Sequence, residues 1–385
     1  LIQNQIKICF FTFIRSDYGL QIPLLKGFLA DPLFDVKFVV SGAHFLKEFD
    51  RSIDLIYKDG FQIDQEIDFL SIDSAKIDFA KSLSNLTLAA GRYLESERPD
   101  AVLLYGDRYE LLPMSTLCLV NNIPMIHVSG GEVTEGAIDN QIRNALSKLS
   151  HLHLVAAEEY KQNLIHMGEQ SWRILVCGEP GLASLINFLP IPKSDLYADL
   201  QLDEKKKTIL VTFHPETIQN EITIEFIENL ISKLSKMDQI QLVITGSNAD
   251  DYGLEINDFF VRNESKFGYR FILNLGMKRY YSLLNYASLM LGNTSSGLYE
   301  AQSFHLPVIN VGKRQKGRAL NTNVINVIPN SDKILSALEL GLSDEFQWKI
   351  HQDENIFFDK DSIGKIIHFI KENIRKPDLL MKLAI

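Results

Sequence analysis

Along the first half of the chain, apolar runs of four to eight residues alternate with longer stretches whose apolar positions recur every three or four residues. Ile6–Phe13 reads as a buried strand, and residues 18–30 after it have helical spacing. Residues 34–40 form a second strand, closed by the turn pair Ser41-Gly42, and residues 75–97 read as one long helix ending before Pro99. Ala101–Tyr105, Pro124–Val128, Leu152–Ala156 and Ile174–Cys177 are further short strands separated by helical segments. Strands apolar on both faces, connected through helices, predict a parallel sheet covered on both sides.

Near residue 180 the pattern changes. Gly178-Glu179-Pro180-Gly181 is a turn cluster, and residues 190–207 are polar, so 180–207 is expected to be hinge and linker. The rhythm then restarts with strands at 208–212, 241–245 and 269–273 and helices at 224–237 and 279–287. A strand at 289–291 runs into the small polar turn 292–297, then a helical stretch at 298–304 and a strand at 307–311. The expected architecture is α/β, with two Rossmann-like doubly wound parallel-sheet domains facing a cleft. Their expected bounds are 1–185 and 186–365, with a terminal helix over 366–385 packing back on the first.

Ligands of such sheets bind beyond the carboxyl ends of the strands, so polar residues there carry the functional expectation. Arg15 follows the first strand; Asp107 and Arg108 follow Ala101–Tyr105, where Asp107 could equally be a helix N-cap. After Pro124–Val128 come the paired glycines 130 and 131, then Glu132, and a helix opening with Asp139 and Arg143, four residues apart on one face. That last pair could be an ordinary salt bridge, but Asp107, Glu132 and Asp139 together put three carboxylates on one ligand edge. Crowded carboxylates raise one another's pKa and can supply an acid beside a base. In the second half His214 ends the strand at 208–212, and Asn248 lies in the polar loop after the next strand. Ser295, Ser296 and Gly297 precede a predicted helix, whose unpaired N–H groups and dipole favour an anion; phosphate is the natural guest. Arg314 and Arg318 follow on a loop that could return to the same place.

Composition narrows the classes. A chain of 385 residues suits two domains, and 46% hydrophobic with 23% charged residues is ordinary for a globular protein. A net charge of −10 argues against nucleic acid as a partner but not against a nucleotide, which needs only a few local cations. Cys9, Cys118 and Cys177 sit in or beside apolar runs without metal spacing, as buried thiols of a reducing, cytoplasmic setting would. No apolar run reaches the roughly 18 residues of a membrane span. The Gly-rich dinucleotide fingerprint, the phosphate-binding P-loop, the zinc-protease HExxH and paired CxxC are all missing, so hydride transfer, P-loop hydrolysis and metal chemistry lack support. No cofactor and no metal is expected.

With these residues in place, the chain resembles the hydrolysing UDP-N-acetylglucosamine 2-epimerases that feed sialic-acid synthesis. The matching pieces are IRSDYG (14–19), GDRYE (106–110), HVSGGEVTEGAID (127–139), GEPG (178–181), FHPET (213–217), SNAD (247–250), GNTSSGLYEA (292–301) and GKRQKGR (312–318). The resemblance implies a glycosyltransferase B fold with the nucleotide on the second domain. It implies pyrophosphate contacts from Ser295, Ser296, Arg15 and His214, a ribose contact from Glu300, and Arg314 on the following loop. Asp107, Glu132 and Asp139 would surround the sugar, and Arg108, Asn248 and Gly297 join the binding set. The implied reaction is metal-free: anti elimination of UDP to a glycal, then hydration to free N-acetylmannosamine. Ser129 stands where many relatives carry an acidic or other polar residue, which leaves room for a 2,4-diacetamido-2,4,6-trideoxy sugar instead. A glycosyltransferase on the same fold is a further alternative. Dimers or tetramers are the family's usual assemblies.

Overall fold

The computed structural model describes residues 5–46, 51–73, 76–135, 138–215, 222–247 and 251–382. Two compact units emerge: one of Leu1–Glu132, Asp139–Ile186 and Asp359–Ile385, the other of Val133–Ile138 and Asn187–Phe358. The expected doubly wound parallel sheet is present in each.

In the first unit the strands are β1 (Ile6–Thr12), β2 (Phe34–Ser41), β3 (Gln65–Ile67), the ribbon β4 (Ile72–Asp73) and β5 (Lys76–Ile77), then β6 (Ala101–Tyr105), β7 (Met125–Val128), β8 (Leu152–Val155) and β9 (Ile174–Val176). Seven of them form one sheet in the order β3-β2-β1-β6-β7-β8-β9, all parallel. The helices are α1 (Arg15–Ala30), α2 (Ile53–Lys58), α3 (Phe79–Glu97), α4 (Leu111–Val120), α5 (Asp139–Leu149) and α6 (Glu158–His166). Side chains alternate across β1, so Ile6, Ile8 and Phe10 enter one core while Cys9, Phe11 and Phe13 enter another on the opposite face. That two-sided burial is why the strands read as unbroken apolar runs.

The second unit carries α7 (Lys193–Asp199), β10 (Lys207–Thr212), α8 (Ile224–Leu234), β11 (Ile240–Thr245), α9 (Asp251–Phe267), β12 (Arg270–Ile272), α10 (Gly276–Tyr286), β13 (Leu289–Gly292), α11 (Ser296–Tyr299), β14 (Val308–Val311), β15 (Val324–Val327), α12 (Ser331–Gly341) and α13 (Asp344–Ile350). Its six strands run β12-β11-β10-β13-β14-β15. Each sheet reverses its strand order once, between β1 and β6 in the first unit and between β10 and β13 in the second. Such a reversal opens a crevice at the carboxyl ends of the two strands that flank it.

Several expectations need correcting. The helix expected from residue 75 starts at Phe79, because the Asp78 carboxylate accepts the Lys81 N–H at 3.0 Å and caps it. Residues 180–207 are not linker throughout: α7 buries Leu196 and Tyr197, and the Tyr197 hydroxyl meets Thr208 Oγ1 at 2.9 Å. The stretch 298–304 is not one helix but a single α turn followed by a 3-10 turn, Ala301–Phe304. α9, β15, α12 and α13 lie where the hydrophobic pattern gave no element. Among the described residues no helix is long and apolar enough to cross a membrane. All three cysteines are buried and unpaired.

The terminal helix α14 (Ser362–Asn373) places Ile366 and Ile370 in the same core as Ile8 and Phe10. Beyond it, buried Arg173 donates to the carbonyls of Leu379 (2.8 Å), Met381 (2.7 Å), Asp378 (3.3 Å) and His151 (3.1 Å). Lys382 Nζ adds bonds to the carbonyls of Lys148 (2.8 Å) and Ser150 (2.6 Å) at the end of α5, and to Glu169 (2.8 Å). Charge-assisted bonds to carbonyls are worth roughly 1.5–3 kcal/mol each. Arg173→Leu should therefore lower the unfolding free energy by at least ~3 kcal/mol and release the segment after α14. Urea denaturation with limited trypsin digestion reads both effects; an unchanged midpoint and a protected Lys376 would show that the guanidinium does not hold it.

Candidate active site

The ligand edge of the first unit is built where β1, β6 and β7 end. At the end of β1, Asp17 sits in the first turn of α1, and its carboxylate accepts the N–H groups of Phe13 (3.0 Å) and Ile14 (3.3 Å) and the Thr12 hydroxyl. Thr12 Oγ1 also meets His44 Nε2 at 2.9 Å, and His44 Nδ1 meets Ser52 Oγ at 2.8 Å. This buried chain fixes the bend that carries Arg15, which is the first residue of α1 and half-buried there, not a loop residue. Burial pushes the Asp17 carboxyl up to about 6 and His44 down to about 3.

After β6 the chain turns at Gly106, whose φ of +85° is open to glycine, and presents Asp107. Arg143 of α5 donates to the Asp107 carboxylate, to the Glu132 carbonyl at 3.1 Å, and lies 4.0 Å from the Glu132 carboxylate. Arg143 and Glu132 are 1% and 2% exposed, whereas the Asp107 side chain is 23% exposed. The carboxylates expected to crowd one another thus share a guanidinium, and opposite charge replaces repulsion between Asp107 and Glu132. Asp139 opens α5 and is half-buried. Arg108 forms a two-point bond with buried Glu110, at 2.8 and 3.2 Å, so its charge is already met within its own loop.

The glycine pair takes the positive φ expected of it at Gly131 and serves packing besides. Gly131 has φ +75°, and a side chain there would collide with the Tyr160 carbonyl of α6; at Gly130 a Cβ would press on His127 and Ser147. Both residues are small for packing as well as for the turn. His127 supports the Asp107 bend directly. Its Nε2 bonds the Gly106 carbonyl at 2.8 Å, and its Nδ1 meets the Ser147 hydroxyl at 3.3 Å. Burial holds it near 3, so the ring is neutral, with Nε2 carrying the proton.

In the second unit the edge forms where β10, β11, β13 and β14 end. His214 is buried, with Nδ1 3.4 Å from the Ser247 hydroxyl, and burial together with the charge of Arg314 holds it well below the usual histidine range. Asn248 falls outside the described residues. The turn 293–297 does not build a long helix N-terminus: α11 is one turn, and the N–H groups of Gly297, Leu298 and Tyr299 close onto the carbonyls of Thr294 and Ser295. The N–H of Ser296 meets the Thr294 hydroxyl at 3.4 Å. Gly297 is buried, and a Cβ there would lie 2.8 Å from Val308 Cγ1, so its smallness serves packing on β14. Ser296 Oγ meets the Tyr280 hydroxyl at 2.6 Å, and Tyr281 donates to Glu300 at 3.2 Å. Burial raises the Glu300 carboxyl above its ordinary value, while hydrogen bonds from Ser296 and Tyr281 work against that. Arg314 donates to the Asn293 carbonyl at 3.3 Å and buried Gln315 to the same oxygen at 2.8 Å; Arg318 donates to Gln315 at 2.8 Å. Among the described residues no three histidine, cysteine or acidic side chains group to hold a metal ion.

Sequence reading passed over Asp17, Glu110, Asn293, Gln315 and the tyrosines 280 and 281. Asn293 and Gln315 lie inside motifs already singled out, so their place after a strand was the available signal. The tyrosines sit on α10 and reach Ser296 and Glu300 only through the fold.

A model of the family described as UDP-N-acetylglucosamine 2-epimerase matches residues 27–371. The chain belongs to the UDP-N-acetylglucosamine 2-epimerase family. It is 35% identical over 98% of both chains to the GDP/UDP-N,N'-diacetylbacillosamine 2-epimerase (hydrolyzing) of Campylobacter jejuni. It is 33% identical, over 88% of this chain and 89% of the other, to the UDP-N,N'-diacetylbacillosamine 2-epimerase (hydrolyzing) of Legionella pneumophila. In fold it resembles the crystal structure of Methanocaldococcus jannaschii UDP-GlcNAc 2-epimerase in complex with UDP-GlcNAc and UDP, with a TM-score of 0.77 at 16% identity over 95% of this chain and all of that one. As a family member the protein is a UDP-sugar 2-epimerase with a glycosyltransferase-B-like fold.

The buried neutral histidines of this epimerase have a consequence for its stability. A histidine held low in the folded state contributes stability that is lost as pH falls through its unfolded value near 6.5. His44 and His127 (about 3), His151 (about 4), and His153 and His214 (both lowered by burial) all have that sign. Asp17 has the opposite one, because the folded state keeps a proton up to about 6 that the unfolded state has lost. The unfolded chain therefore takes up more protons than the folded one as the pH falls below about 6.5. The unfolding free energy should then drop steadily from pH 7 to pH 5. Denaturant titrations at pH 7, 6 and 5 measure this; a flat profile would mean that these rings are hydrated in solution.

Proposed function

We propose that the protein is a hydrolysing nucleotide-sugar 2-epimerase that releases UDP and a free 2-epimerised sugar. The observation that carries this reading is the end-to-end identity with two relatives named as hydrolyzing, joined to the residues that gather at the strand ends of each sheet. The same identity favours a UDP-2,4-diacetamido-2,4,6-trideoxy sugar, since both relatives are named for N,N'-diacetylbacillosamine. UDP-N-acetylglucosamine is the second reading, supported by the family description and by 26% identity to a Neisseria meningitidis enzyme named for it.

The roles join what the family resemblance implies to the charge and exposure of each side chain. Ser295, Ser296, Arg314 and a neutral His214 meet the pyrophosphate, and Glu300 takes the ribose hydroxyls. Charge developing on the leaving group is offset by Arg314, while His214 donates a hydrogen bond without needing to be cationic. Asp107, paired with Arg143 but still partly exposed, removes the C2 proton; buried Glu132 holds Arg143 in place; Asp139 orients water. As the C2–H bond breaks, its electron pair forms the C1–C2 double bond, and the C1–O pair leaves with UDP. Water oxygen then adds to C1 and a proton returns to C2 on the other face, giving the epimer.

Each nucleotide sugar, incubated alone with the protein in D2O, tests this. UDP and a free reducing sugar bearing deuterium at C2 are expected, faster from the diacetamido substrate. Retained C2 hydrogen would eliminate the elimination mechanism, and no reaction without an acceptor would favour a glycosyltransferase. Asp107→Asn should bind UDP within about twofold of the parent yet lose at least ~100-fold in turnover, because it keeps shape while removing basicity. Unimpaired turnover would take Asp107 out of the chemistry.

A further inference from the structure

We infer that Asn293 is the positioning residue of the nucleotide site, setting the place of His214 through its main chain; this rests on the functional reading above. Asn293 is 0% exposed, and both ends of its side-chain amide go to one residue. Its Oδ1 accepts the His214 N–H at 2.7 Å, and its Nδ2 donates to the His214 carbonyl at 2.8 Å. That is the double exchange by which two residues pair across antiparallel strands, here made by a side chain. Its own main chain completes the junction: the N–H donates to the Thr212 carbonyl at 3.1 Å, and the carbonyl receives Gln315 and Arg314. One buried residue thus ties together the ends of β10, β13 and the loop after β14.

The need for it lies one residue earlier. The β10–β13 ladder ends with Thr212 opposite Gly292, where φ is +146° and any Cβ would overlap the Thr212 carbonyl oxygen. Past this bend the two main chains diverge from ladder geometry, and the asparagine amide bonds both the N–H and the carbonyl of His214. The His214 ring, kept neutral by burial and Arg314, meets the Ser247 hydroxyl at 3.4 Å, and Asn293 holds its backbone from both sides.

A buried asparagine can also be plain scaffold, and Asn323 offers the comparison. It is equally buried and donates to the Leu306 carbonyl at 2.7 Å, but it sits at the opposite end of the sheet, just before β15. The test measures UDP affinity and melting temperature in the full-length protein for Asn293→Ala, Asn293→Asp and Asn323→Ala. Asn293→Asp keeps the size and the acceptor but has no N–H for the His214 carbonyl, so it carries the test if the alanine variant does not fold. Both Asn293 variants should weaken UDP at least tenfold, with Asn323→Ala within twofold of the parent at a comparable loss of melting temperature. In a His214→Asn background, adding Asn293→Ala should change UDP affinity less than about twofold, because the two act as one unit. Parent-like UDP affinity in both Asn293 variants, or a full additional loss in the His214→Asn background, would overturn the positioning role while leaving the nucleotide site intact. A parent that does not bind UDP would overturn the nucleotide reading, and this inference with it.

Discussion

A parallel strand buried on both faces must end somewhere, and its last donors and acceptors then need partners that the ladder no longer supplies. Much of the chemistry in this protein is arranged around that requirement. At the end of β1 the partner is the Asp17 carboxylate, which takes the N–H groups of Phe13 and Ile14. At the end of β6 it is His127, which takes the Gly106 carbonyl. At the end of β10 it is the Asn293 amide. Each satisfies an obligatory backbone group and, by doing so, fixes the bend that presents a neighbouring functional side chain. Stability and site geometry are here consequences of the same hydrogen bonds.

Charge is handled on the same principle. In the first unit one buried guanidinium, Arg143, serves Asp107 and approaches Glu132, so a carboxylate stands at the edge without an uncompensated charge beneath it. Arg108 is likewise matched by buried Glu110. In the second unit the arginines 314 and 318 are held by neutral acceptors, the Asn293 carbonyl and the Gln315 side chain, with Arg318 also 5.4 Å over the Tyr299 ring.

Alternation of apolar runs and helical spacing determined, from sequence alone, that there are two parallel sheets and which strand ends are polar. Burial on both faces leaves that signature directly in the residues. The same reading placed Asp107, Glu132, His214 and Ser295 beyond strands, because a turn after an apolar run is local information. It could not divide roles between Asp107 and Glu132, since that rests on Arg143 from another helix and on which carboxylate keeps solvent. It could read the glycines 130, 131 and 297 only from their turns, since the atoms that exclude a side chain there belong to His127, Ser147, α6 and β14. It expected one helix over 298–304, where the chain makes an α turn and then a 3-10 turn, and Asn355 and Asn321 take the carbonyls of Tyr299 and Leu298. Asn293, Tyr280 and Tyr281 became legible only in three dimensions. Their partners lie 16 to 79 residues away in sequence, and no local pattern encodes a hydrogen bond across that distance.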